Sequence, residues 1–377
     1  MDMDSKLPGL YIHIPFCLRK CDYCNFYSVT SISRIPDFLK ALFKEMEMVR
    51  NQFGLFDTVY LGGGTPSVLS ISQLREVLIK VRENFALLPD TEITVEANPG
   101  DLDPTFLKQI HDVGVNRINI GIQSFDQRIL DFLGRRHSVE QAVAALEGSR
   151  KAGFDNVGLD LIYAVPGQDI ELWPSTLEQA LDFEPEHLSC YQLTIEEKTP
   201  LGMRYRKGDV SSPGEDLQYE FFMKTSEFME DAGYIHYEVS NFAKEMRFAS
   251  RHNQKYWDHT PYLGLGPAAH SFRNDQRWWN YRSLDQYLSA ISSGRLPVEE
   301  TETLSMEQLR LEALYFGMRT KRGIQLQDFI DRYHCNLVSD KSNMLTQLQE
   351  EKLVSIQGGY LCPTRAGLAI ADTLALI

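Results

Sequence analysis

No stretch of this 377-residue chain reaches the run of about 18 apolar residues that a membrane-spanning helix needs. The most apolar terminal segment, residues 367–377, is short and interrupted by Asp372, so it reads as a packed terminal helix. The opening MDMDSKLPGL has neither a basic n-region nor an apolar h-region, and a secretory leader is not expected from it. Positive charge is scarce: 38 basic residues against 52 acidic ones leave a net charge of −14. That balance argues against a nucleic-acid partner, whose binding depends on neutralised phosphates, though it leaves room for a local basic pocket. There is no internal repeat and no low-complexity tract. Cysteine is sparse and uneven. Three of the six lie between positions 17 and 24, while Cys190, Cys335 and Cys362 are scattered. In a chain of this length that distribution reads as a metal-binding cluster plus free thiols, not a disulfide framework, and a cytoplasmic location is expected.

What is present fits a globular protein with one large core and a smaller second domain: 43% hydrophobic and 24% charged residues. From residue 10 to about 240, strand-like runs (10–14, 58–61, 93–97, 117–122, 157–162, 187–195) alternate with helical stretches (36–53, 72–85, 104–113, 139–151, 175–183). Two of these helix starts carry capping-box chemistry, Ser70 with Gln73 and Ser138 with Gln141. Strand–helix–strand repetition predicts parallel strands with right-handed crossovers. The expected class is α/β, an open, partial βα barrel over residues 1–240. Residues 241–300 are dense in aromatics, Gly, Pro and His, and read as a connecting segment. Residues 301–377 read as a small, mostly helical domain of winged-helix type, ending in a hairpin around Gly358-Gly359.

The cysteine cluster follows the first strand as Cys17-Leu-Arg-Lys-Cys21-Asp-Tyr-Cys24, a C-x3-C-x2-C spacing. Three thiolates on one loop can hold three corners of a four-iron cube, since soft sulfur ligands suit iron–sulfur clusters. The fourth iron is then open to an amino acid's amine and carboxylate, as in S-adenosylmethionine (SAM). A reduced [4Fe–4S] cluster can pass an electron to the SAM sulfonium and release a 5′-deoxyadenosyl radical. The alternative is a structural zinc completed by His13 or another group; zinc knuckles usually pair two C-x2-C units, and no second unit exists here.

Beyond the triad, Gly62-Gly63-Gly64-Thr65-Pro66 closes a second strand, where glycine lets backbone approach a ligand. Acidic and polar residues follow at later strand ends: Glu96 in TVEAN, Gln123 in GIQSF, Arg135 in GRRH and Asp160 in GLDLI. This constellation resembles the radical-SAM superfamily over nearly the whole chain, in the branch that holds oxygen-independent coproporphyrinogen III oxidases and heme chaperones. The resemblance implies that Cys17, Cys21 and Cys24 ligate the cluster. It likewise implies that Tyr11, Gly63, Gly64, Thr65, Glu96, Gln123, Arg135 and Asp160 surround SAM, with Glu96 on the ribose hydroxyls. Arg136 stands next to Arg135 and competes for its role.

Two features choose between the members of that branch. The oxidase pattern has a fourth cysteine two residues beyond the third; here Phe26 stands there. The run His252-Asn-Gln-Lys-Tyr256-Trp257 matches an HNxxYW signature of the heme chaperones. Imidazole is a good axial ligand for heme iron, so the resemblance implies heme on His252, Tyr256 and Trp257, with Arg251 and Lys255 toward the propionates and His259 and His270 as alternative ligands. It implies heme as cargo and heme-requiring acceptor proteins as partners, membrane respiratory complexes among them. It allows peripheral membrane association and a homodimer. No catalytic side chain is assigned. The alternative is a radical-SAM oxidative decarboxylase acting on coproporphyrinogen III.

Overall fold

The computed structural model describes residues 6–374. Its core is six parallel strands in chain order: β1 (Gly9–Ile14), β2 (Leu55–Gly63), β3 (Ala86–Ala97), β4 (Arg117–Gln123), β5 (Val157–Tyr163) and β6 (His187–Gln192). The connecting helices are α1 (Ile35–Val49), α2 (Ile71–Asn84), α3 (Pro104–Asp112), the short α4 (Gln127–Phe132), α5 (Val139–Ala152) and α6 (Trp173–Leu181). Both expected capping boxes form, at Ser70/Gln73 and Ser138/Gln141. Strand β3 starts seven residues before the predicted run. Its early part contains Pro89 and Asp90, poor strand formers, and is held by pairing of Leu55 and Phe56 with Ala86 and Leu87.

A strand buries alternate residues on opposite faces. Here one face is aliphatic: Leu10 and Ile12 on β1, Val59 and Leu61 on β2, Ile93 and Val95 on β3, Ile118 and Ile120 on β4, Leu159 and Leu161 on β5. All are buried against the helices. The opposite face is polar, with Tyr11 and His13, Tyr60 and Gly62, Thr94 and Glu96, Arg117, Asn119 and Gly121, Asp160, then Ser189 and Tyr191. Register lines these up in rows: Glu96 faces Asn119, and Gly121, Asp160 and Ser189 stand side by side. Parallel sheets usually bury both faces in apolar side chains; the polar face is where this one departs from that rule.

The sheet runs beyond the six strands at both edges and does not close. Antiparallel β7 (Ile235–Glu238) and β8 (Asn241–Ala243) follow β6. On the other side, β9 (Tyr262–Leu265) pairs parallel with β1, and β10 (His270–Arg273), β11 (Gln276–Asn280) and β12 (Val298–Thr303) continue antiparallel. Residues 241–300, read from the sequence as a connecting segment, are thus part of the sheet. Their short aromatic strands gain stability by pairing with one another and, through β9, with β1, and single-segment periodicity does not register that.

The C-terminal unit has its own apolar cluster around Leu314, Phe329, Leu345 and Leu361. It combines helices with a three-stranded antiparallel sheet, β13 (Ile324–Gln325), β14 (Val354–Gln357) and β15 (Tyr360–Pro363), with the expected hairpin at Gly358-Gly359. Backbone bonds dock it on the β7–β8 turn: Val239 N–H donates to Arg319 C=O at 2.8 Å, and Lys321 N–H to Tyr237 C=O at 3.1 Å. The expected terminal helix is two short ones, Arg365–Ala369 and Ala371–Leu374; its last three residues lie outside the described part.

Candidate cluster, SAM and tetrapyrrole site

The loop after β1 carries the three cysteines, and the glycine run after β2 holds it. Gly64 N–H donates to Ile14 C=O and Thr65 N–H to Phe16 C=O, both at 2.8 Å. Thr65 Oγ1 donates to Cys17 Sγ at 3.4 Å. The approach is close enough to require glycine. A Cβ on Gly64 would lie 2.6–2.8 Å from backbone atoms of Ile14 and Phe16, and Gly63 has φ +105°, a left-handed conformation. Cys17 is buried, Cys21 and Cys24 are half-buried, and all three are free thiols. Among the described residues no three His, Cys, Asp or Glu side chains converge on a point fit for a single ion. A tetrahedral zinc needs such convergence. A cube does not, because its irons sit at separate corners, so the donor set fits a four-iron cluster better than zinc.

Beside the triad a cavity of about 560 Å³ opens at the carboxyl ends of the strands, where ligands bind in open α/β sheets. It is lined by Gly63, Gly64, Thr65, Glu96, Gln123, Arg135 and Asp160, seven of the eight residues expected around SAM, together with Cys24. Glu96 is held in place by Tyr60 Oη at 2.7 Å and Gly63 N–H at 3.2 Å. Burial pushes its carboxyl up to about 7, against the lowering effect of Tyr60 and of Arg117 in the next row. Burial likewise raises Asp160, which accepts from Asn119 Nδ2 at 2.7 Å. Arg135 donates to Cys21 Sγ at 3.4 Å and to Gly121 C=O at 2.6 Å, whereas Arg136 turns away to pair with Asp101. Of the two neighbouring arginines, Arg135 is the one that lines the cavity. Gln123 adopts φ +70° at a β-bulge, a strained conformation of the kind that collects at functional sites.

The walls of this cavity contain four buried side-chain atoms without hydrogen-bond partners among the described residues: Asn119 Oδ1, Gln123 Oε1, Arg135 Nε and Asp160 Oδ1. Leaving one such group unpaired costs about 1–3 kcal/mol. Four around one cavity are the mark of a site whose ligand supplies the partners. Asn119 was not singled out from the sequence. The signal was its place on the polar face, two residues before Gly121 and four before Gln123.

Tyr11 lies elsewhere. It stacks on Tyr60 and His252 (centroids 6.2 and 6.3 Å apart), and its hydroxyl sits 3.1 Å from His13 Nδ1. It lines a second cleft, also about 560 Å³, between the cluster loop and β9–β12. Tyr256, Tyr262, His270, Trp279 and Phe26 line the same cleft. Phe26 and Asn25 belong to the walls of both cavities.

The HNxxYW residues do not form one surface. His252 is buried under the sheet, with Nδ1 2.8 Å from Thr58 Oγ1 and Nε2 2.9 Å from Tyr256 Oη. Both ring nitrogens are engaged and burial pushes the imidazole down to about 3, so it is a neutral, internally bonded histidine with no nitrogen left for iron. The expectation that it ligates heme does not fit this arrangement. Lys255 pairs with Asp57 and donates to Leu7 C=O, and Arg251 also reaches Asp57, so neither is directed at a propionate. Tyr256 faces the second cleft, while Trp257 faces a third cavity beside the C-terminal domain. His259 is buried between Tyr333 Oη and Glu312.

Residues 11–180 match the Radical SAM superfamily and residues 304–370 the HemN C-terminal domain. The chain is 36% identical over 353 residues to the heme chaperone HemW of Lactococcus lactis, covering 93% of this chain and 92% of that one. It is 33% identical over 355 residues to HemW of Bacillus subtilis, covering 92% and 93%. The chain belongs to the HemW family. The mitochondrial radical S-adenosyl methionine domain-containing protein 1 of Danio rerio is 34% identical over 380 residues, covering 97% of this chain and 85% of that one. The structure of HemN, the coproporphyrinogen III oxidase of Escherichia coli, superposes with a TM-score of 0.85 at 22% identity, covering 98% and 89%, and shows the shared fold.

A Radical SAM domain implies a [4Fe–4S] cluster and SAM, and the residues present fit both. When bound, the cluster supplies an electron to the SAM sulfonium. The chain's own contribution is to position groups: the glycine run fixes the cysteine loop, Arg135 donates to the Cys21 thiol, and Tyr60 and Gly63 hold the Glu96 carboxyl at the cavity wall.

Proposed function

We propose that this protein is a heme chaperone, which holds heme beside a SAM-liganded [4Fe–4S] cluster on Cys17, Cys21 and Cys24 and delivers it to acceptor hemoproteins. Membrane respiratory complexes are acceptors consistent with this role, and the cytoplasm is its expected location. The observation that carries the reading is identity of 33–36% to HemW proteins across more than nine-tenths of both chains. Phe26 supports it: the position where the oxidase pattern has a cysteine is a phenylalanine, 66% exposed, on the wall between the two cavities. In this reading Gly63, Gly64, Thr65, Glu96, Gln123, Arg135 and Asp160 hold SAM. His252 acts through Tyr256, fixing its hydroxyl and its ring at the second cleft, and is a positioning residue. The test is transfer. Protein reconstituted anaerobically, loaded with hemin and mixed with an apo-hemoprotein should hand the heme over faster than hemin leaves albumin. Retention of the heme, or transfer no faster than from albumin, would count against a carrier.

A further inference from the structure

All nine histidines lie among the described residues, and among these His270 alone combines an open imidazole with an aromatic cavity. His13, His236, His252 and His259 use both ring nitrogens in hydrogen bonds. His137 and His187 are buried. His111 and His334 do not face the second cleft. His270 does, is exposed, and neither of its ring nitrogens has a hydrogen-bond partner among the described residues. It stands directly opposite Trp279 in the β10–β11 hairpin, and the rings stack with centroids 5.5 Å apart at 26°. An imidazole bound to heme iron stands upright on the porphyrin, so a ring stacked on it holds its plane without covering the porphyrin.

The rest of the cleft has the chemistry of a flat, apolar dianion's site. Phe26 is 66% exposed and Tyr256 and Tyr262 are half-buried; an aromatic wall of this kind is covered at little cost by a large planar ligand. Arg282 lies on the rim, over the Tyr27 ring at 5.9 Å and donating to Asn25 C=O at 3.2 Å, and no other hydrogen bond engages its guanidinium fork among the described residues. Glu299 lines the same cleft and repels carboxylates, so the anionic edge of a ligand is directed to Arg282. We infer that heme, in the carrier reading on which this assignment rests, occupies this cleft with His270 as its iron ligand, Phe26 and Tyr256 against the porphyrin, and Arg282 on a propionate. Although the residue is exposed, desolvation of its ring against the cleft and the nearby Arg277 push the His270 imidazole below its ordinary value, the direction that favours the neutral, metal-binding form.

Full-length protein titrated with hemin and, separately, with iron-free protoporphyrin IX tests this. His270→Ala should weaken hemin binding at least about tenfold and shift the Soret band, while protoporphyrin IX binding stays within about twofold, since no iron bond is lost. His270→Met, close in size and carrying a thioether, should bind hemin with a Soret band distinct from both wild type and the alanine variant. Arg282→Glu should weaken both tetrapyrroles alike. A wild-type Soret band and affinity in both His270 variants would overturn the assignment and leave the carrier reading standing, as would a spectrum that responds to His252→Ala instead. A wild type that binds neither hemin nor protoporphyrin IX would remove both together.

Discussion

Cys17, Cys21 and Cys24 are placed on one loop, and Cys190, Cys335 and Cys362 lie in β6 and the C-terminal domain, away from it. Alanine at any of the first three should abolish the broad iron–sulfur absorbance of reconstituted protein; alanine at the other three should leave it intact. Dependence of the cluster on a scattered cysteine, or stoichiometric zinc in place of iron, would remove the assignment. Glu96 offers a sharper measurement. A charged hydrogen bond contributes about 1.5–3 kcal/mol, so Glu96→Gln should weaken SAM binding by about tenfold or more in calorimetry, with iron content unchanged. Equal affinity would mean the ribose lies elsewhere. Most of these residues were legible in the sequence because each sits at a strand end beside a glycine or in a distinctive run. His252 was legible as important but not in its role. HNxxYW reads as an imidazole among aromatics, and only the fold reveals that Thr58 and Tyr256 close both its nitrogens.

At the scale of elements, two contacts decide whether the site is assembled. The first is the glycine run against the cluster loop. Gly64→Ala places a methyl against the backbone of Ile14 and Phe16, neither of which can move without breaking the loop's hydrogen bonds to residues 64 and 65. The variant should keep its far-ultraviolet dichroism and lose cluster uptake; full iron incorporation would show that the loop tolerates displacement. The second contact ties α1 to the β9–β12 extension. Glu45 is buried and accepts from Tyr287 Oη at 2.6 Å, Asn280 Nδ2 at 2.6 Å and Gly266 N–H at 2.9 Å, and burial pushes its carboxyl up to about 7. Its folded value lies above the unfolded one of about 4.3. The native state therefore binds more protons between them, and this group's contribution to stability falls as pH rises from about 4.5 to 7. Glu45→Gln should destabilise by about 1–3 kcal/mol at pH 5, because an amide opposes Asn280 with a donor. That deficit should shrink toward pH 8; a deficit constant across the range, measured by denaturant melts, would show that Glu45 does not titrate there. The six parallel strands and their helices were predictable from alternation and caps. The extension was not, since β9–β12 are short strands held by one another and by contacts with the edge of β1 and with Glu45 that span more than 200 residues of sequence.

For the whole molecule, one sheet presents an aliphatic face to its helices and a polar face to two adjoining cavities, separated by the loop that bears Phe26. The same scaffold serves HemN, with a TM-score of 0.85, so the fold does not choose between carrier and oxidase. The choice lies in what the cavities do with a tetrapyrrole. The direct measurement is made on one anaerobically reconstituted sample, given SAM and a reductant and divided between a hemin titration and a coproporphyrinogen III decarboxylation assay. A carrier should bind hemin saturably with a defined Soret band and release no carbon dioxide from coproporphyrinogen III. SAM-dependent decarboxylation with no saturable hemin binding would contradict the account and make the protein an oxidase with phenylalanine at position 26.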